Sequence, residues 1–252
     1  MNRATSLTDT LRATPLWAAL RDWRYLRKQR ARVRFYASFM NARSLVFDIG
    51  ANVGHYSLIF EHLGARVVAI EPQAALSERL KKRFARRPLI TVEHCALGAA
   101  VGSALLRKTA GLSEVASLRA DVAERSRFAA THPFDEVETV PVNTLDELIA
   151  RHGRPDFCKI DVEGFEDAVL SGLSLPIAAL SFEFNREFSD VAQRCVERLC
   201  TLGPYRFNFM LGEDVVFETA NYVGAAELIA RLSANRDPLL WGDVYARLEP
   251  AK

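Results

Sequence analysis

No run of apolar residues in this 252-residue chain approaches the roughly 20 needed to cross a bilayer, so a spanning helix is not expected. Cysteine is scarce. The four at Cys95, Cys158, Cys195 and Cys200 include no C-x-x-C pair, which disfavours a structural zinc site and a disulfide framework and leaves most of them reading as buried thiols. Internal repeats and low-complexity tracts are missing as well. The opening MNRATSLTDTLRATPLWAAL has no basic start followed by an apolar core and a small-residue cleavage site, so export is not indicated and a cytoplasmic location is expected.

What is present suits one sizeable α/β core: 49% apolar and 25% charged residues in a chain too short for two full domains. The net charge of +2 is unevenly shared. Residues 1–43 carry ten Lys/Arg against Asp9 and Asp22, a local excess of +8 that points to surface partners and not to fold. This basic stretch, 1–43, reads as one or two helices whose Leu20, Trp23, Leu26 and Phe35 would cover a sheet edge or pocket, and the remainder, 44–252, as the main domain.

From Leu45 the sequence alternates short apolar runs with amphipathic segments: LVFDIG, a helix to Gly64, RVVAIEP, a helix through Leu76, Leu80 and Phe84, then LITVEHCALG. Short buried runs separated by helices imply parallel strands joined by right-handed crossovers. The rhythm breaks at about 102–141, where SALLRK and EVETVPV read as extra strands flanking a polar loop, Lys108 to Phe134, that would serve as lid or wall. It resumes with NTLDELIARHGRP, which carries a capping box from Thr144 to Glu147 and stops at Gly153 and Pro155. The strand DFCKID, a helix, the strand IAALSFEFN and a further helix follow. YRFNFMLGEDVVFET then reads as a hairpin about a Gly-containing turn. The expected fold is a mostly parallel seven-stranded sheet with helices on both faces and a C-terminal antiparallel hairpin.

In such a sheet ligands sit beyond the carboxyl ends of the strands. There the first strand ends at Asp48 and runs into Gly50-Ala-Asn-Val-Gly54, where glycines allow close approach and the next helix offers free N–H groups. Glu71 ends the second strand, where a carboxylate can accept from both hydroxyls of a ribose. The loop is not G-x-G-x-x-G, and Asp48 would repel a pyrophosphate but attract the ammonium of an amino acid. S-adenosylmethionine is therefore favoured over NAD.

VFDIGANVGHYS, VVAIEP, HCALG and FCKIDVEGFEDAVLSG, in this order and spacing, resemble the FkbM-type class I methyltransferases, and LLWGDVYARL is similar to that family's C-terminal stretch. The resemblance implies a Rossmann-like fold, S-adenosylmethionine as donor, and O-methylation of hydroxyls on natural products and sugars. It implies that Gly50, Asn52 and Gly54 shape the methionine-side pocket, that Glu71 holds the ribose, and that Cys95 and Ala96 border the adenine. His94 stands where the family often has Asn. Asp161 and Glu163 match the element at the fourth strand's tip, beside the expected transfer centre.

The chemistry asks for little beyond placement, since methyl transfer is an in-line displacement, and a carboxylate receiving the hydroxyl proton would help. Asp161, Glu163, Glu183 and Asn185 project from the fourth and fifth strand ends and are the candidates, with general-base or positional catalysis preferred over Mg²⁺ assistance and no metal assigned. His55 in the loop and His132 on the polar loop are further candidates, His62 and His152 read as structural, and Lys159 on a buried run calls for a carboxylate partner. A nucleic-acid acceptor is disfavoured because N-P-P-Y, D-P-P-Y and Pro-Cys pairs are missing, although the basic segment would suit phosphates. A non-catalytic cofactor-binding protein, or a basic segment resting on an anionic membrane, are the remaining alternatives.

Overall fold

The computed structural model describes residues 15–109, 112–126 and 134–250. Two helices, α1 (Pro15–Lys28) and α2 (Arg30–Tyr36), precede β1 (Leu45–Ile49), α3 (His55–His62), β2 (Arg66–Ile70), α4 (Ala74–Phe84) and β3 (Ile90–Glu93). Next come β4 (Ala96–Leu97), β5 (Gly102–Thr109), β6 (Leu112–Ser117), α5 (Val122–Arg125), β7 (Glu136–Asn143) and α6 (Leu145–His152). The chain closes with β8 (Phe157–Ile160), α7 (Glu166–Ser171), β9 (Ala179–Asn185), α8 (Ser189–Leu202), β10 (Tyr205–Leu211), α9 (Ala225–Ala234) and β11 (Trp241–Leu248).

The seven-stranded sheet has the order β10-β11-β9-β8-β1-β2-β3, parallel from β9 through β3. Strand order reverses between β1 and β8, so a crevice opens beyond their carboxyl ends. Both faces are covered, which is why β1 is buried along its whole length. Leu45, Phe47 and Ile49 join a core with α6, α7 and α8, whereas Val46 joins a second core with Tyr36, α3 and α4. By the same alternation Asp48 and its register partner Lys159 point to the α3 side. Thr144 caps α6 as expected, its Oγ1 accepting from Glu147 N at 3.1 Å, and Gly153 ends α6 at φ 98°.

Three features differ from the sequence reading. The extra strands build a separate four-stranded sheet, β4-β7-β5-β6, in which HCALG contributes β4. The C-terminal antiparallel pair is present, but β10 pairs with β11 and not with VVFET. That segment returns beside β10 through Glu218 N→Phe209 O (2.9 Å), through Asn208, whose side chain bonds Thr219, and, beyond it, through a Phe207–Val223 bridge, while Phe217 packs on Phe35 and Tyr245. Finally, among the described residues before 44, Tyr36 and Met40 sit in the second core, while Leu20 and Trp23, expected to cover a sheet edge or pocket, are 38% and 55% exposed.

Candidate active site

The crevice is a cavity of about 430 Å³, lined among others by Gly50, Asn52, Glu71, Cys95, Asp161 and Glu183. Its floor is set by a close approach: a Cβ on Gly50 would lie 1.8 Å from the Asp161 carbonyl oxygen, and Gly50 sits at φ 81°. Only glycine lets the β1 and β8 tips meet this way. Gly54 serves differently from expectation. It lies outside the lining, and a side chain there would strike the Phe84 ring at 2.5 Å, so it permits α4 to pack against the loop and does not shape the pocket.

Asp48 also departs from its expected role. It is buried, lies outside the lining, and accepts from Ser57 Oγ at 2.5 Å and from the Ser57 backbone N–H. Its alternation onto the α3 face delivers it to the start of α3, where a carboxylate favours the helix dipole. Burial raises its proton affinity, opposed by Lys159 and the Ser57 hydrogen bonds.

Glu71, just past the end of β2, lies in the cavity wall. Its Oε1 accepts from Gln73 N and its Oε2 from Asn52 N, both at 2.9 Å, so the two loops that flank the cavity are tied to one carboxylate. Each oxygen has a second lone pair that these bonds leave free. Burial pushes its pKa up to about 7 despite those two donors. Asn52 stands at φ 51°, unusual for a residue with a side chain, and its Oδ1 is buried without a partner. Cys95 and Ala96 also line the cavity, with Leu106 of the second sheet and Leu118 just after it, while His94 Nε2 donates to the Pro72 carbonyl, 3.0 Å away.

At the β8 tip Asp161 Oδ2 accepts from Lys159 Nζ at 2.6 Å. Lys159 is 2% exposed, and its ammonium lies 4.3 Å from the Tyr56 ring centre. Burial alone would push this lysine down, but Asp161, Tyr56 and Asp243 hold it well above its usual value. The carboxylate partner expected for Lys159 is thus Asp161. Glu163 follows at φ 53° in a turn wrapped around Glu166, whose buried Oε1 accepts from Val162 N at 3.1 Å and Gly164 N at 3.2 Å. Asp161, Glu163 and Glu183 present oxygens within 4.8 Å of one another. Glu183 Oε2 is buried without a partner. Its register partner across β9 and β11 is Asp243, so two acids face each other there. Burial, then Glu163, Asp161, Glu166 and Asp243, push Glu183 well above the carboxylate range.

Asn185, grouped with these acids in the sequence, is spent elsewhere: its Oδ1 accepts from Phe188 N at 3.2 Å in the turn after β9. His55 lines the cavity and stacks on Tyr25 of α1 at 4.5 Å. His152 faces Glu93 at 2.7 Å, in keeping with a structural role, and His132 falls outside the described residues. Glu166, Tyr56, Gln73, Glu213 and Trp241 are site residues that sequence reasoning missed. Glu166 alone left a trace, as an acid in the first turn of a helix. A smaller chamber of about 130 Å³ adjoins the cavity and shares Tyr56, Asp161, Glu183, Glu213 and Trp241 with it.

The residues present fit an adenosyl donor: a doubly anchored acid with free lone pairs at the second strand, an orphaned amide oxygen in the loop, and acids where a sulfonium would be attracted. Residues 48–205 match the profile of the methyltransferase FkbM domain. The chain belongs to this family. It is a methyltransferase of the Rossmann-like class I fold that depends on S-adenosylmethionine. Remote likenesses among solved structures include a precorrin-6y C5,15-methyltransferase from Geobacter metallireducens, 10% identical over 87% of each chain with a TM-score of 0.47. An O-methyltransferase from Bacillus cereus in complex with SAH is 13% identical over 94% of this chain and 82% of that one, with a TM-score of 0.42. Cofactor-bound Rv0187 from MTB is 11% identical over 99% and 100%, with a TM-score of 0.46. No curated protein matches the chain.

Proposed function

We propose that this chain methylates a hydroxyl oxygen on a small molecule, natural product or glycan. The observation that carries the reading is the convergence of Asp161, Glu163 and Glu183, oxygens within 4.8 Å of one another, on the wall of the cavity that Glu71 anchors. S-adenosylmethionine, when bound, supplies an electrophilic methyl on a positively charged sulfur. Glu71 would accept from the ribose hydroxyls, and Asn52 Oδ1 would be open to a donor from the ligand. Cys95 and Ala96 would border the base, and Asp161, fixed by Lys159, would lie toward the methionine end.

The acceptor enters from the adjoining chamber. As its oxygen took the methyl carbon from sulfur, its proton would pass to a carboxylate of the trio. Glu183 suits this step: it is orphaned and has a raised proton affinity, and a neighbouring positive charge favours its ionised form. Positioning the oxygen about 3 Å from the methyl supplies much of the remaining acceleration.

Asp161→Asn should abolish turnover while leaving affinity for S-adenosylhomocysteine nearly intact, and Glu183→Gln should lower kcat by roughly 10²–10⁴-fold. Normal turnover in either variant removes that residue from the mechanism. The trio's spacing is also the one observation that favours a divalent cation. Activity is expected to survive exhaustive EDTA dialysis, and loss restored by Mg²⁺ would convert the trio into metal ligands.

A further inference from the structure

The outward face of α1 is strongly one-signed. Between residues 15 and 43 the only acid is Asp22, and it is the side chain turned inward, 4% exposed. Its Oδ1 accepts from Arg83 at 3.0 Å and its Oδ2 from Arg87 at 2.7 Å, which straps α1 to α4. Leu26 and Tyr25 share that inner side and pack on the second core. At 3.6 residues per turn the opposite side then presents Leu20, Trp23, Arg24, Arg27 and Lys28, all exposed. Arg30 and Arg34 of α2, Lys82 of α4 and Arg86 just beyond it are exposed as well.

We infer that this face docks on an anionic phospholipid surface. A helix flank with uncompensated cations attracts lipid phosphates, while Leu20 and Trp23, 38% and 55% exposed, enter the headgroup boundary. Arg27 lies 5.5 Å over the Trp23 ring, so the ring's face is taken and its edge is left for the interface. A convex flank bearing an aliphatic residue suits a bilayer better than a single nucleic-acid strand, which wants a groove with open aromatic faces. Two apolar side chains are too few to bind alone, so the attachment is electrostatic and weakens with salt. The inference stands apart from the catalytic reading, because none of these side chains lines the cavity.

The test is cosedimentation of the full chain with phosphatidylcholine vesicles, with and without phosphatidylglycerol, beside an RNA oligonucleotide at the same salt. Binding is expected only to the anionic vesicles and is lost at high salt. Replacing both Arg24→Glu and Arg27→Glu should weaken it by at least about 30-fold, at about 1 kcal/mol per charge near the surface. Trp23→Ala should weaken it without moving the melting temperature. If the charge reversal lowers the melting temperature, Arg24→Gln with Arg27→Gln repeats the comparison. Undiminished binding by the charge variants, failure to bind anionic vesicles at low salt, or tighter binding to RNA would each overturn the inference.

Discussion

Glu71 shows how much one residue can carry. A carboxylate that accepts from two backbone N–H groups and is still pushed up to about 7 is held half-protonated near neutrality by burial. Two consequences follow in opposite directions. Between the ordinary carboxylate value of 4.5 and 7, the unfolded chain gives up this proton before the folded one, so Glu71 lowers folding stability as pH rises through that window. Hydroxyl donors of a bound ribose favour the ionised form, so affinity for S-adenosylhomocysteine should increase from pH 6 to pH 8, with proton release seen by calorimetry in buffers of different ionisation enthalpy. An affinity indifferent to pH would separate Glu71 from the ribose. Glu71→Gln would place an amide donor against one of two N–H groups and should lose both affinity and this pH dependence.

At the scale of elements, the parallel half of the sheet was legible because its strands are buried on both faces and therefore read as short unbroken apolar runs. The tips of those strands were legible too, since an acid ending an apolar run is conspicuous. Which way each acid points was not: Asp48 and Glu71 look alike in sequence, yet pleating sends one under α3 and leaves the other in the cavity wall. The return arm 215–219 alternates like a strand, but its pairing was decided by a contact with Phe35, far off in the chain, that no local pattern encodes. Trp241 reaches the site only through tertiary packing, and Glu166 through a turn that folds back on it. The Gly50 contact is the element-level test. Gly50→Ala puts a methyl 1.8 Å from the Asp161 carbonyl at φ 81°, so the β1 and β8 tips must separate. A loss of about 3 kcal/mol, or roughly 6–12 °C in melting temperature, is expected, together with weakened cofactor binding. Unchanged melting would show that these tips are free to part.

For the whole molecule, the division at residue 43 expected from charge does not coincide with the division made by packing. Tyr36 is 2% exposed and its hydroxyl meets that of Tyr245 at 3.1 Å, among Phe39, Phe60 and Phe157. A chain beginning at Gln29 should therefore fold, with a modest loss from the Tyr25–His55 stack and the Asp22 strap, whereas one beginning at Ala37 should not. Circular dichroism and thermal melting decide between them, and equal stability of both would make α2 an appendage. The acids that crowd one side of the sheet, Glu183 facing Asp243 with Asp161 beside them, bear on the catalytic cycle as well. On the proposed assignment they attract a sulfur that is cationic before transfer and neutral afterward. The spent thioether forfeits that attraction at the moment it forms, so turnover itself loosens the grip on the by-product and limits its competition with fresh donor.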